Sequence, residues 1–511
     1  MRVGICAAVA VLAAVLLAEG GLPELALPIG PAGAAMRLAL DPLAASFLLL
    51  APSIASAPVA LAAIAVTLSA ANGFTMAIGL LMLGGIASRR PAVVAVICLI
   101  LALALAGSVS DFAPIRAAPP DGWRAAAVLL LTLTGAAAVA MFSPAMALYA
   151  VLRLLFDLCG AGQPLWWGVP LVMAGAVIAA VAASRAALSD TLRDAASQAA
   201  LHQFGLAVSS LGLALIARAA DLPSVASHAL DALWLAAVCH VLCRSLLLRG
   251  ADAIASGAGT QRLDRLGGVV HRMPATAGAC LTGLFTVAVL PPGLGFAAFW
   301  LAFQSLLAVA RVGGFGLGIL IAVATVVTGL SVGLVALAAL RVAATALLGR
   351  PRTPRAAAAD EAPAPVRRLL LGLAALTALL GVAPGLALLP AFGWARVAAA
   401  VSPLGLRIGF DAPGYASVFV AALVAVAWIG LSRLLRHMPA ARREPAWSGG
   451  FTAPPAWMPF GDPATQYGPT SFVAPLHRVV AVLLPAAEAA RQRLIRRRDV
   501  LLRAIAALVA T

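Results

Sequence analysis

The sequence contains no lysine and little charge of either sign. Only 11% of its 511 residues are charged, all 35 basic residues are arginines, and 63% of the residues are hydrophobic, with a mean hydropathy of +1.03. Soluble domains carry about 25% charged residues, so this composition excludes a soluble enzyme. The apolar runs are continuous instead of alternating, which favours helices over the strands of a β-barrel. The sequence predicts an all-α, polytopic membrane helix bundle.

Apolar segments of membrane-spanning length divide the chain. A bilayer core of roughly 30 Å takes about 20 apolar residues in a helix, and on this basis we expect about 12 to 15 spans. The segments are 3–18, 43–66, 67–87, 91–109, 124–142, 145–159, 165–187, 197–217, 232–250, 275–290, 295–310, 313–340, 367–390 and 415–435. The sequence therefore predicts a transmembrane bundle over 1–435, a cytoplasmic loop rich in proline and aromatic residues over 436–485, and a basic amphipathic helix over 486–511.

The net charge of +16 and the six cysteines have structural explanations. Basic residues collect in the cytoplasmic loops of membrane proteins, where they contact anionic lipid, so we expect a lipid bilayer as partner and no nucleic acid. The cysteines show no disulfide pattern. Cys239-His240-x-x-Cys243 has a helical spacing that could hold a metal, but two further ligands would have to come from elsewhere. We expect neither a metal site nor a cofactor in this chain.

Two adjacent prolines mark an interruption late in the sequence. Pro291 and Pro292 remove two helix donors, and Gly295 follows shortly after them. One interpretation is a helix that breaks at membrane depth, where its free backbone groups must be buried in protein or face water. The alternative is a simple loop between two short spans.

Four stretches, taken in order, resemble the antiporter-like membrane subunits of respiratory complex I and its hydrogenase relatives, above all the branch of hydrogenase-4 component B and formate hydrogenlyase subunit 3. They are Leu38-x-Leu40-Asp41-Pro42-Leu43, then Gly259-Thr260-x-x-Leu263-Asp264-Arg265-Leu266-Gly267-Gly268, then Leu290-Pro291-Pro292-x-x-Gly295-Phe296 with Trp300, and finally Gln466-Tyr467 with Thr470-Ser471-Phe472-x-x-Pro475-Leu476. The resemblance implies an antiporter-like fold with discontinuous helices, in a bacterial cytoplasmic membrane.

The resemblance also implies a proton path of lysines, glutamates and histidines across the middle of the bilayer, and most of that path is missing here. The matching positions hold Gly79, Val139, Ala236, Arg244, Phe299 and Arg341, and a segment after Pro144 is absent together with its lysine. Arginine cannot replace lysine as a proton carrier because its guanidinium stays protonated. All five glutamates lie near the ends of the chain or in loops, so the expected relay cannot be assembled.

A few ionisable residues remain inside the predicted spans. They are Arg153, Asp157, His202, Asp231, His240, Arg244, Asp252 and Arg341. Arg153 and Asp157 are four residues apart and favour a structural ion pair, while His240 and Arg244, also four apart, should face one side of the bundle with Asp231 or Asp157 as counter-charge. His240 is the one plausible proton carrier among them. A buried polar contact without transport is the competing interpretation.

Three functions are compatible with these residues. The first is a membrane subunit that anchors and shapes a complex-I-like or hydrogenase-type assembly, without an active site of its own, beside other membrane subunits and a peripheral redox arm. The second retains proton or cation translocation, through His240 and the break at Pro291-Pro292. The third is an independent permease with a substrate site near the midplane.

Overall fold

The structure is a computed structural model that describes residues 22–27, 36–40, 43, 46–47, 144–158, 163–312, 314–389, 406, 414–437, 468–476 and 478. Two strands come first, β1 (Leu22–Leu27) and β2 (Met36–Leu40). The helices are α1 (Pro144–Val151), α2 (Gly168–Leu188), α3 (Leu192–Ala219), α4 (Pro223–Ala258), α5 (Val269–Arg272), α6 (Pro274–Val287), α7 (Leu294–Val309), α8 (Phe315–Val342), α9 (Pro354–Ala357), α10 (Ala364–Val382), α11 (Pro384–Leu388) and α12 (Ser417–His437). Short π-helical segments extend α1 over Leu152–Leu158 and α8 over Ala343–Leu347.

Six helices in the described part of the chain are long and apolar enough to cross a membrane. They are Leu165–Leu188, Leu192–Ala219, Pro223–Ala258, Phe315–Leu347, Ala364–Val382 and Ser417–Arg436. Each overlaps a predicted span, because continuous apolar runs of this length leave helix as the structure that satisfies the backbone in lipid. The predicted all-α membrane bundle is confirmed, and the chain is a multi-pass membrane protein.

A short β-hairpin departs from the all-helical prediction. Strands β1 and β2 pair antiparallel, with Leu25 opposite Leu38 and Leu27 opposite Met36. The Leu38–Leu43 motif, which resembles the opening of a helix, therefore begins in a strand, and helix is found only from Leu43 onward. The stretch between the strands is rich in proline and glycine, residues that favour a reversal of the chain.

The bundle is built around α3 and α4. Helix α3 packs between α2 and α4, α8 packs on α2, α6 and α7 pack on α4, and α10 packs on α6. Helix α4 has 36 residues and runs the whole length of the bundle. Its first turns adjoin the end of α7, while Gly257 near its end approaches Met273 before α6.

Helices α6 and α7 form one broken crossing. Helix α6 begins with Pro274 at the end of the bundle where α4 ends. Arg311, after α7, lies beside Val225 at the opposite end of the bundle, where α4 begins. The 14 and 16 residues of the two helices thus share the passage that α4 makes alone. The sequence leaves open whether 275–290 and 295–310 are two short spans joined by a loop or one broken helix. The structure has one helix that breaks within the bundle.

Glycines let α2 and α3 approach with their backbones in contact. A Cβ added at Gly175 would lie 2.3 Å from the amide nitrogen of Ser209, and one added at Gly205 would lie 2.5 Å from that of Ala179. Small residues at such interfaces allow close helix packing in membranes. This contact fixes α3, the helix that carries the candidate site.

Most of the other predicted segments lie in parts of the chain that the structure does not describe. The spans 3–18, 67–87, 91–109 and 124–142 lie there, as does 43–66 apart from residues 43 and 46–47. The loop 436–485 is described only at 436–437, 468–476 and 478, and the basic helix 486–511 lies outside the described residues altogether.

Candidate functional site

His202 on α3 is hydrogen-bonded to Ser331 on α8. The Nε2 atom lies 3.0 Å from the hydroxyl oxygen, and both side chains are buried. The single hydroxyl proton of Ser331 is donated to the carbonyl of Thr328 at 2.7 Å, so Ser331 accepts from the Nε2–H of His202. The other ring nitrogen, Nδ1, is buried without a partner in the described part of the chain.

His240 on α4 is bonded to the backbone of α3. Its Nδ1 lies 2.8 Å from the carbonyl oxygen of Ala200, and because a carbonyl can only accept, Nδ1 carries the proton. The ring packs against Phe204, with 5.8 Å between ring centroids. Its Nε2 is buried and has no partner among the described residues. No hydrogen bond between His240 and His202 is found in the described structure.

Arg244 lies one turn after His240 and also faces α3. Its Nη1 donates to the Ser197 hydroxyl across 3.4 Å, a long hydrogen bond. The two residues therefore share one side of α4, as their spacing predicts. Asp252, further along α4, pairs with Arg193 at the start of α3.

Arg341 on α8 is held by backbone carbonyls. The side chain is 1% exposed, and its guanidinium donates to the carbonyl oxygens of Ala187 and Ser189 at the end of α2. The last carbonyls of a helix lack intrahelical donors and carry partial negative charge. Arg341 therefore caps α2 and joins it to α8.

The carboxylate of Asp231 does not reach His240. Asp231 precedes His240 by nine residues on α4, which places the two about 13 Å apart along the helix axis. Its Oδ1 is buried without a partner in the described part. Arg153 is buried in the turns after α1, whereas the side chain of Asp157 is outside the description. The predicted pair of Arg153 with Asp157 thus stays a prediction.

The break between α6 and α7 meets α3 at Gln203. A Cβ added at Gly295 would lie 3.0 Å from the Gln203 side-chain nitrogen and 2.3 Å from the Thr286 carbonyl. Pro291 and Pro292 are half-buried in the turn. The glycine therefore brings the start of α7, the end of α6 and a buried amide together.

Several side chains with buried polar atoms in this region were not among the residues predicted from the sequence. Those with an atom that lacks a partner in the described structure are Gln198, Gln203, Ser209 and Thr328, and the indole nitrogen of Trp300 also lacks one. Such atoms in proteins are usually satisfied by ordered water. The sequence signal that could have identified them is the pair of glutamines, Gln198 and Gln203, in a largely apolar part of α3.

Charged groups outside the membrane bond within and between the loops at the end of the bundle where α4 ends and α6 begins, called the arginine-rich end for its Arg262, Arg265 and Arg272. Arg262 donates to Asp264 at 2.9 and 3.0 Å, and this hydrogen bond outweighs burial and lowers the pKa of Asp264. Burial alone would raise the pKa of Glu361, but hydrogen bonds from Thr276 and from the amides of Ala275 and Ala362 hold it below the ordinary value. Glu361 thereby caps the start of α6.

Comparison with known proteins gives relatives in hydrogen-metabolising enzymes. The chain is 28% identical over 236 residues to hydrogenase-4 component B of Escherichia coli, covering 46% of this chain and 35% of that protein. It is 31% identical over 252 residues to formate hydrogenlyase subunit 3 of Escherichia coli, covering 48% and 41%. An uncharacterised protein of Mycobacterium tuberculosis is 30% identical over 439 residues, covering 76% and 65%. No family model matches the chain.

Solved structures share the fold. The membrane-bound sulfane sulfur reductase, an archaeal respiratory membrane complex, has a chain that matches with a TM-score of 0.69 at 16% identity, covering 98% of this chain and 90% of that one. The Mrp complex from Dietzia matches with a TM-score of 0.57 at 17% identity, covering 77% and 91%. These relatives and structures support an antiporter-like membrane subunit of the complex I superfamily.

The matched part of this antiporter-like chain covers less than half the length of the two Escherichia coli relatives. Its arginines stand where the resemblance expects lysines: Arg244 bonds to a hydroxyl and Arg341 to carbonyls. Both bonds are ones that a permanently protonated group can make.

Proposed function

We propose that this chain is a membrane subunit of a complex-I-like or hydrogenase-type redox assembly in a bacterial cytoplasmic membrane, where it anchors and shapes the assembly without conducting protons itself. The names of its relatives, a component and a subunit, support an assembled state. So does its fold, which occurs in multi-subunit membrane complexes.

The observation that carries the non-conducting role is the bonding of Arg341. A relay position needs a side chain that releases a proton and takes it back. Arg341 keeps its proton at any ordinary pH, and its two Nη groups donate to the carbonyls of Ala187 and Ser189. The charge serves to hold α2 against α8.

The histidines support the same role. Among the described residues each makes one hydrogen bond, His202 to Ser331 and His240 to Ala200, and these bonds lead to different helices. A relay needs proton carriers that are linked directly or through water. The redox chemistry then belongs to partner subunits and a peripheral arm, and this chain holds no cofactor or metal.

Affinity purification tests the assembly. The chain would carry a C-terminal tag and be extracted from its native membranes in mild detergent, with quantitative mass spectrometry of what accompanies it and a tagged unrelated polytopic protein as control. We expect redox and membrane subunits of a complex-I-like or hydrogenase type in fixed ratio. Recovery of the folded chain alone would overturn the proposal and favour an independent permease.

A second candidate is retained proton or cation translocation through His240. It is favoured by the unpartnered buried atoms, Nε2 of His240, Nδ1 of His202 and the Gln203 amide, because waters bridging them would form a chain along α3. His240→Ala separates the two candidates, since only this one expects pumping to be lost while the assembly stays intact.

A further inference from the structure

A cavity of about 230 Å³ opens between the first turns of α4 and the last turns of α7. It lies at the end of the bundle opposite the arginine-rich loops, since α4 starts there. Four polar residues line it, His228, Gln304, Ser305 and Arg311, and the Ser305 hydroxyl already donates to the carbonyl of Leu301. The other lining residues include Val225, Leu307 and Ala308, which are apolar.

The arginine and the apolar residues of the lining lie at different depths, with Arg311 just beyond α7 and Leu307 and Ala308 in its last turn. Leu307, in the last turn of α7, precedes Arg311 by four residues, and both side chains are exposed. His228 lies deeper and is 7% exposed. A ligand seated here would meet a guanidinium at the membrane surface and an apolar wall one turn further into the bilayer.

The backbone around the cavity leaves recognition to the side chains. Three carbonyls at the end of α7 each already accept from the amide three or four residues later. They are those of Leu306, Ala308 and Val309. The N-terminus of α4, which carries a partial positive charge, also lies at the cavity, with Val225 in its first turn. The cavity therefore suits a negatively charged group.

We propose that this cavity binds the phosphate of an anionic phospholipid, with an acyl chain along Leu307. Arg311 donates to the phosphate oxygens as guanidinium groups do, and Gln304 and His228 offer polar contacts on its inner side. Inorganic phosphate shares the charged part of this chemistry but lacks the chain that would cover the apolar wall.

Lipid titration of the full-length protein tests the site. Delipidated protein in mild detergent would be titrated with phosphatidylglycerol or phosphatidylcholine, and bound lipid counted by native mass spectrometry. We expect Arg311→Gln to weaken the affinity for the first phosphatidylglycerol bound about tenfold, as loss of one charged hydrogen bond does. The affinity for phosphatidylcholine should be unchanged. Arg272→Gln, exposed at the other end of the bundle, is the matched control and should bind like the parent protein.

A second variant tests the cavity without changing charge. Ala308→Trp fills it and should weaken binding of both lipids at this site, while thermal unfolding reports whether each variant remains folded. Equal phosphatidylglycerol affinity in the parent protein and a folded Arg311→Gln would overturn the proposal. Displacement of the lipid by inorganic phosphate at equal concentration would also overturn it, because the acyl chain would then contribute nothing.

Discussion

Arg341 of α8 donates a hydrogen bond to the carbonyl oxygen of Ala187 in the last turn of α2. A second bond from the same guanidinium reaches Ser189, just beyond that helix. A buried cation is expensive in a bilayer unless it is paired or bonded to carbonyls. The end of α2 supplies the carbonyls, so the arginine stabilises the contact between two helices that are distant in sequence.

Replacement of Arg341 should reduce stability more than replacement of an exposed arginine. Arg341→Gln loses charged hydrogen bonds to two carbonyls and should lower the free energy of unfolding by about 1–3 kcal/mol. Arg341→Lys retains one donor group and should lose less. The measurement is equilibrium unfolding in mixed detergent, with Arg265→Gln, in an exposed loop position, as the control. Equal stability of Arg341→Gln and Arg265→Gln would show that Arg341 caps nothing.

The contact between α2 and α3 should not tolerate a methyl group. Gly175→Ala places Cβ 2.3 Å from the Ser209 amide nitrogen and 2.6 Å from the Gly205 carbonyl. Backbone atoms cannot move aside as a side chain can, so we expect a loss of about 2 kcal/mol or more. Gly329→Ala on α8 meets no described atom within 4 Å and should be neutral or up to about 1 kcal/mol stabilising. Matching unfolding curves for the two variants would contradict the close packing.

The single broken crossing of α6 and α7 predicts the sidedness of two loops. In a variant with its native cysteines replaced, Arg265→Cys and Gly314→Cys introduce thiols at exposed positions between α4 and α6 and after α7. A membrane-impermeant maleimide should label them from opposite sides of the membrane. Labelling of both from one side would mean that α6 and α7 each cross separately.

Much of the bundle could be predicted from the sequence because long apolar runs have one stable structure in lipid. Each predicted span from 165 to 435 overlaps a helix, although 275–290 and 295–310 are the two halves of one crossing and 367–390 contains a break between α10 and α11. The pairing of α6 with α7 could not be predicted, since Pro291 and Pro292 fit both a loop and a break. The hairpin of β1 and β2 was hidden because its apolar residues also match a helix-opening motif.

The candidate site was predictable in composition but not in contacts. The spacing of His240 and Arg244 indicates that both face one way, and both do face α3. The partners could not be predicted, because Ala200 and Ala187 take part through backbone carbonyls, which carry no sequence signal. Gln203 was missed because its role depends on where Gly295 approaches it.

Glu361 should make stability depend on pH at the arginine-rich end. Its pKa is lowered in the folded protein, so its contribution is complete above the ordinary value of 4.5 and is lost as the pH falls through the lower folded value. Glu361→Gln should lower the free energy of unfolding at pH 7 by about 1 kcal/mol, as loss of a helix cap does. The difference should shrink below pH 4.5, with the exposed Asp360→Asn as control. A difference that stayed constant with pH would contradict this role.

Proton translocation by the purified assembly tests the central claim most directly. The assembly would carry either the parent chain or the double variant His202→Ala and His240→Ala, be reconstituted in vesicles, and be supplied with the donor that its partners oxidise. Subunit ratios would be checked first. A structural role for this chain predicts equal protons moved per electron in the two preparations. An intact assembly in which the double variant moves fewer protons per electron would contradict it.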